Sequence, residues 1–294
     1  MHLPVKRAIA LLFATFPFFL NAQAISPKIT MEQGQVFNVD ITLTNTIAQQ
    51  AMGQAVDFKV DGRARHSYKV SNATDDFYTL HHEAQQMSFA FNGMGSKRNF
   101  DSENKKDMSG PLGEPARAML AKKYDLVMSN TGTALRANPE SFPAFRSDDR
   151  LMIIFNMLRD LTTVTDPPRK GQASFFKVLP DNDVKVGDTW KTEMTDTSAR
   201  SSTIYTLTSI TDSTLLITFR TEGQTRVRAQ IMNMESLTLL TSTGTGTVVV
   251  DRFTGIIKTK DAVTEANGTT EMMGNSTPVN VKTTISTIVA KATQ

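Results

Sequence analysis

No cysteine occurs anywhere in the 294 residues. Disulfides, thiolate nucleophiles and cysteine-held metal or iron–sulfur centres are therefore excluded. Histidine is scarce too, at 4 residues, and there is one tryptophan. The sequence has no G-x-S-x-G elbow, no H-E-x-x-H, no P-loop, and no G-x-G-x-x-G opening a helix. The glycines of "TGTGT" (Thr243 to Thr247) read as bends within a strand. Beyond the first 24 residues there is no apolar run of about 18, the length a membrane-crossing helix needs.

The first residues account for the excess of positive charge. "MHLPVKR" is basic, "AIALLFATFPFFL" (Ala8 to Leu20) is apolar, and Ala22-Gln23-Ala24 has the small residues of a cleavage site. This order reads as a secretory signal peptide over residues 1–24, cut before Ile25. Cleavage removes Lys6 and Arg7 from 32 basic residues and none of the 29 acidic ones, leaving 30 against 29. A balance that close is no footprint for nucleic acid. No cysteine follows the leader to carry a lipid, so the expected location is periplasmic or secreted, with no transmembrane segment left after cleavage.

What the chain does have is period-two alternation. In "QVFNVDITLTNTI" (Gln35 to Ile47), Phe37, Val39, Ile41 and Leu43 share one face while Asn38, Asp40, Thr42 and Thr44 share the other. "TLLITFR" (Thr214 to Arg220) and "VNVKTTISTIV" (Val279 to Val289) repeat the scheme. One dry and one threonine-rich face is the mark of antiparallel sheet. Turn-forming residues at 72–76, 129–133, 211–213 and 251–255 separate the strands, of which about eleven are expected. The expected fold is mainly β: an antiparallel two-sheet sandwich or an incomplete barrel, as a single unit over 25–294.

Two halves, about 25–137 and 179–294, share a plan. "EQGQVFN" and "KVGDTWK" place Phe37 and Trp190 alike, three residues after a glycine. Between the halves, in a connector over 139–177, Ser147 to Leu161 has apolar residues at helical spacing, with acids in the first turn and "DPPRKG" as the stop. A shorter helical turn is expected near Pro115 to Ala121. Residues 92–115 read as a long, polar, mobile loop.

Met-Gly recurs at two corners, "QQAMGQAVDFKV" and "TTEMMGNSTPVNVK", where glycine supplies a positive φ at a hairpin apex. Met52, Met272 and Met273 beside these corners either fill core under the hairpin ends or line the mouth of an apolar groove. Phe37 and Trp190 likewise serve as core anchors or as ligand platforms. His81 and Glu83 share one strand face and are the metal candidates, but a third ligand is missing, so no metal or other cofactor is expected. "DNDVKVGD" lacks the closing Glu of a calcium loop.

The stretches "LPDNDVKVGDTW", "GTGTVVVDRFTGIIKTKDAV" and "EMMGNSTPVNVKTTISTI" resemble an uncharacterised family: exported β-rich proteins of Gram-negative bacteria, many of them lipoproteins, defined as a domain of unknown function. Its marks are a V-x-x-G-D-x-W strand and a closing M-M-G hairpin. The resemblance implies an exported β-sheet protein and brings no catalytic residues. Three function classes stay open: a non-enzymatic carrier of a hydrophobic small molecule or lipid in a sheet-lined cavity, a structural or interaction component of the cell envelope, and a hydrolase with an unrecognised carboxylate pair.

Overall fold

The computed structural model describes residues 24–51, 54–93, 95–139, 154–231 and 234–292. The leader through residue 23 lies outside this range, as do Met52 and the start of the expected helix from Ser147.

Alternation between apolar and threonine positions produces twelve strands. They are β1 (Val36–Ala51), β2 (Gln54–Ala73), β3 (Phe77–Gly93), β4 (Ser96–Asp101), β5 (Lys123–Ser129), β6 (Ala134–Pro139), β7 (Thr189–Thr195), β8 (Ala199–Ile210), β9 (Thr214–Ile231), β10 (Met234–Asp251), β11 (Ile257–Met272) and β12 (Asn275–Lys291). All pair antiparallel in one sheet of order β6-β5-β3-β2-β1-β12-β11-β10-β9-β8-β7, with β4 beside β3. The mainly antiparallel β expectation holds, but the halves are not two facing sheets. They join edge to edge, because β1 and β12 pair from Phe37↔Lys291 to Gln49↔Val279. The sheet does not close: among the described residues β7 ends one side, and β6 and β4 end the other.

Matching backbone geometry occurs near the starts of β1 and β7. Gly34 (φ 86) and Gly187 (φ 93) are both left-handed, and each donates its N–H at 2.8 Å, to the carbonyls of Val70 and Leu207 respectively. Three residues on, Phe37 pairs with Tyr68 and Trp190 with Tyr205. Bulges also match: Val70/Asn72 against Leu207/Ser209, and Val127/Met128 against Val249/Val250. Thus β1-β2-β3-β5-β6 repeats as β7-β8-β9-β10-β11, and β12 supplies the seam.

The described residues of 92–115, expected as a mobile loop, include β4, α1 (Lys105–Ser109) and the start of α2 (Gly113–Leu120). Asn104 caps α1 by accepting from the Lys106 N–H at 2.9 Å. Polar composition hid this because β4 needs only Phe100 to be buried. In the connector, residues 154–157 are helical, followed by α3 (Arg159–Thr162) and a 3-10 turn (Thr163–Thr165).

The helical segment lies on the dry face of β1 and β2, and the absence of a side chain at Gly62 seats it. A Cβ there would meet Leu161 Cδ1 at 2.6 Å and Leu158 Cδ2 at 2.7 Å, and both leucines are fully buried. One core cluster fills this first half; a second, around Leu207, Leu215, Ile217, Val248 and Val250, closes only the base of the second. The stretch from Ile25 spans both bases, with backbone bonds from Ile25 to Val184, Ile29 to Asn130 and Thr30 to Thr254.

Candidate functional site

Three sets of side chains compete for a functional role: the histidines, the methionine corners, and the dry face of the second half. The first set divides by strand parity. His81, on the wet face of β3, holds Asp125 at 2.8 Å through Nδ1 and Glu83 at 3.2 Å through Nε2. Lys123 closes the cluster on Glu83 at 3.0 Å. Partial burial opposes charging of His81, but its two carboxylate partners win and raise its pKa; the Lys123 hydrogen bond lowers that of Glu83. Both imidazole nitrogens are engaged, so the metal-candidate pair His81 and Glu83 has its donor atoms turned on each other. Asp125 joins the pair, but among the described residues no three such side chains are arranged to hold a metal ion.

His82, on the opposite face, is fully buried, stacked on Tyr124 (4.5 Å between ring centroids) and tilted against Tyr68 (4.9 Å). His66 Nε2 lies 3.0 Å from the Leu161 carbonyl, so that nitrogen carries the proton and Nδ1 is left as an acceptor. His82 Nε2, at 3.3 Å, donates to it. Tyr124 donates to the Val164 carbonyl at 2.8 Å and accepts from Tyr68 at 3.1 Å. Asn45 donates to the Met157 carbonyl at 3.2 Å. These donors satisfy carbonyls that a helix end leaves without intrahelical partners. The chain His82→His66→Leu161 is therefore a helix clamp. Among the described residues, His82 Nδ1 is buried without a hydrogen-bond partner.

Of the two methionine corners, the one at Met272 and Met273 is described. Met272 pairs with Asn275, so Met273 and Gly274 form a two-residue apex with φ of 53 and 77. That is the twist of a type I′ hairpin, which favours Asn-Gly. Met273 points to solvent, 74% exposed. The open cleft beside it, about 600 Å³, is lined by Arg228, Glu235 and Glu271 as well as Met272, which is a polar setting. Left-handed backbone at a non-glycine residue costs about 1 kcal/mol. Replacing Met273 with Asn should therefore raise unfolding free energy by about 1 kcal/mol in a urea titration; an unchanged midpoint would show that the strain is absent.

Phe37 is not accessible. It is 4% exposed and meets Phe176 edge-on at 6.0 Å, so the core claims it and it drops out as a ligand-contacting residue. Its counterpart Trp190 is half-buried, with Nε1 donating to the Val178 carbonyl at 3.0 Å. Trp190 stacks on Tyr205 and Tyr205 meets Phe219, each pair at 5.6 Å. Phe219 lies over Gly246, where a Cβ would come within 2.4 Å of the ring. The Lys260 ammonium sits 5.6 Å from the centre of the same ring. Sequence reasoning put Trp190 and Phe219 on a dry face but passed over Tyr205, Gly246 and Lys260; the parity of Lys260 with Ala262 and Ala266 was the available signal.

This row crosses the dry face of β7 to β11. Above it that face continues through Thr203, Thr221, Gly244, Ala266, Val279 and Val281, half-buried or buried, whereas the opposite face carries charged pairs such as Arg220–Glu222 and Lys282–Glu265. The described helices pack against β1, β2, β3 and β4.

Comparisons place limits on what this arrangement can be tied to. The model of a "Family of unknown function (DUF6263)" matches residues 169–257, less than half of the chain. That stretch holds β7 to β10 and carries the V-x-x-G-D-x-W strand. No curated protein matches. Among solved structures, lipovitellin, in a study of its lipid–protein interactions, is similar over 90% of this chain at 9% identity and TM-score 0.48. This chain spans only 26% of lipovitellin. An outer membrane channel from Pseudomonas putida F1 (7% identity, TM-score 0.22, 90% of this chain and 98% of that one) and Pseudomonas aeruginosa OpdQ (8%, 0.23, 90% and 100%) are also similar. No helix among the described residues is long and apolar enough to cross a membrane, which leaves strands unaddressed.

Proposed function

We propose that the chain is an exported protein that holds a hydrophobic small molecule or lipid against the dry face of β7 to β12. The leader supports export. One observation carries the binding reading: a half-buried apolar and small-residue surface with an aromatic row at its base, against which none of the described helices packs. The space between the helix and the first half is filled by Leu158 and Leu161, so a cavity there has no room for a ligand. The repeat makes the same point physically. In one half the dry face buries a helix of its own chain, and in the other an external apolar molecule would remove comparable area from water.

The rival reading, an envelope component that binds through an edge strand, gains nothing from β7. That edge is short and carries the Lys191–Glu193 pair, which discourages strand addition. A carboxylate-pair hydrolase finds no acid on the dry face of β8 to β12.

Trp190 is the sole tryptophan and stands at the foot of this face, so its fluorescence reports occupancy. Titrating the protein with dodecanol should shift or quench that emission saturably, and native mass spectrometry of protein from its own host should show a bound apolar species. An unchanged spectrum together with a bare mass would refute the carrier reading.

A further inference from the structure

Among the described residues, the dry face of β8 to β12 carries one charged side chain apart from Lys291 at the end of β12, which reaches Glu32 at 3.9 Å. That residue is Lys260. Its strand neighbours by register are Val248 on β10 and Thr287 on β12, and Thr287 is buried. The carboxylates nearest in sequence, Asp261 and Glu265, have opposite parity; Asp261 takes the Ser286 hydroxyl at 2.5 Å and Glu265 takes Lys282 at 2.9 Å on the wet face. Lys260 is thus partly withdrawn from water, with its ammonium over the Phe219 ring. Desolvation lowers its pKa, as expected when no carboxylate offsets burial.

A lysine on an otherwise uncharged surface is costly for the apo protein. The obvious alternative at a strand position with Ala262, Thr264 and Ala266 in series is another small or apolar residue. The ammonium gains its counterpart if the molecule filling the face is an amphiphile. We infer that Lys260 binds the anionic oxygen head group of a single-chain amphiphile whose hydrocarbon lies along Phe219, Tyr205 and the face above them. This rests on the carrier reading and narrows it from any greasy molecule to an acidic one. The cation–π contact pre-positions the ammonium, and an incoming carboxylate takes ammonium protons that the ring leaves free.

The test compares dodecanoate with dodecanol, two probes of equal chain length, by Trp190 fluorescence at pH 7 on the full chain, with circular dichroism to verify folding. Wild-type protein should prefer dodecanoate. Lys260→Met should weaken dodecanoate about tenfold and leave dodecanol unchanged, and Lys260→Arg should keep most of the preference. Added salt should weaken dodecanoate alone. Equal affinity of wild type for both probes, or a parallel loss of both in Lys260→Met, would overturn the assignment while leaving the apolar face intact. Binding of neither probe by wild type would instead remove the carrier reading, and this inference with it. Inorganic phosphate and acetate serve as headgroup-only controls: if either displaces dodecanoate at millimolar concentration, the site recognises a free anion and the amphiphile assignment fails.

Discussion

Acidification from pH 7 to pH 4 is expected to unfold this protein, beginning in the first half. His66 and His82 are buried as neutral rings, and burial lowers their pKa to about 4 and about 3. The ordinary value is 6.5, which both regain when the chain unfolds. Above pH 6.5 the two states bind the same number of protons and these groups do not affect stability. As the pH falls through 6.5, the unfolded chain takes up protons that the folded one refuses. Each unit then costs about 1.4 kcal/mol per histidine until the folded pKa is reached. Between pH 6.5 and 4 the two together remove on the order of 7 kcal/mol, comparable with the whole stability of an ordinary domain. Protonated His66 also keeps no acceptor at Nδ1, so the donation from His82 is lost with it. Chemical denaturation at pH 7, 5.5 and 4.5 measures this directly. In His82→Phe, which copies the Phe219 of the second half, the loss should be roughly halved. A stability that stays flat from pH 7 to 4.5 would mean that the histidine pair is solvated or already charged.

Leu161→Ala is expected to cost about 3 kcal/mol. Leu161 is fully buried, its side chain meets the bare backbone of Gly62, and its carbonyl receives the His66 proton. Leucine-to-alanine changes in cores cost about 2–5 kcal/mol through lost transfer energy and the cavity left behind. A glycine cannot move in to fill that cavity, which favours the middle of the range or above. Hydrogen exchange should show the excess opening confined to the helical segment and to β1 through β3, while β8 through β11 keep their protection. Uniform loss of protection across all strands would show instead that the seam between β1 and β12 makes the halves one cooperative unit.

The residues that were legible are those whose neighbours along the chain decide their state. Alternation in β1, β9 and β12 gave the strands, because period two is a property of the extended backbone itself. Glycine before Phe37 and before Trp190 gave the repeat, since only a left-handed residue makes that corner cheaply. Other features depended on contacts made elsewhere. Residues 92–115 read as loop because β4 is stabilised by pairing with β3, a partner its own composition does not announce. Phe37 and Trp190 occupy the same place in the two halves, yet one is sealed by Phe176 and the other remains half-open, and that difference belongs to the connector. His82 was placed opposite His81 by parity alone, but its role in holding the Leu161 carbonyl through His66 required the helix to be docked.

By itself the sequence determined an antiparallel β chain with one face dry, because local periodicity and turn chemistry act within a few residues. The tertiary structure decided that the halves share one sheet and that the described helical segment packs on the first of them, since both outcomes depend on which strand edges and surfaces meet between parts of the chain distant in sequence.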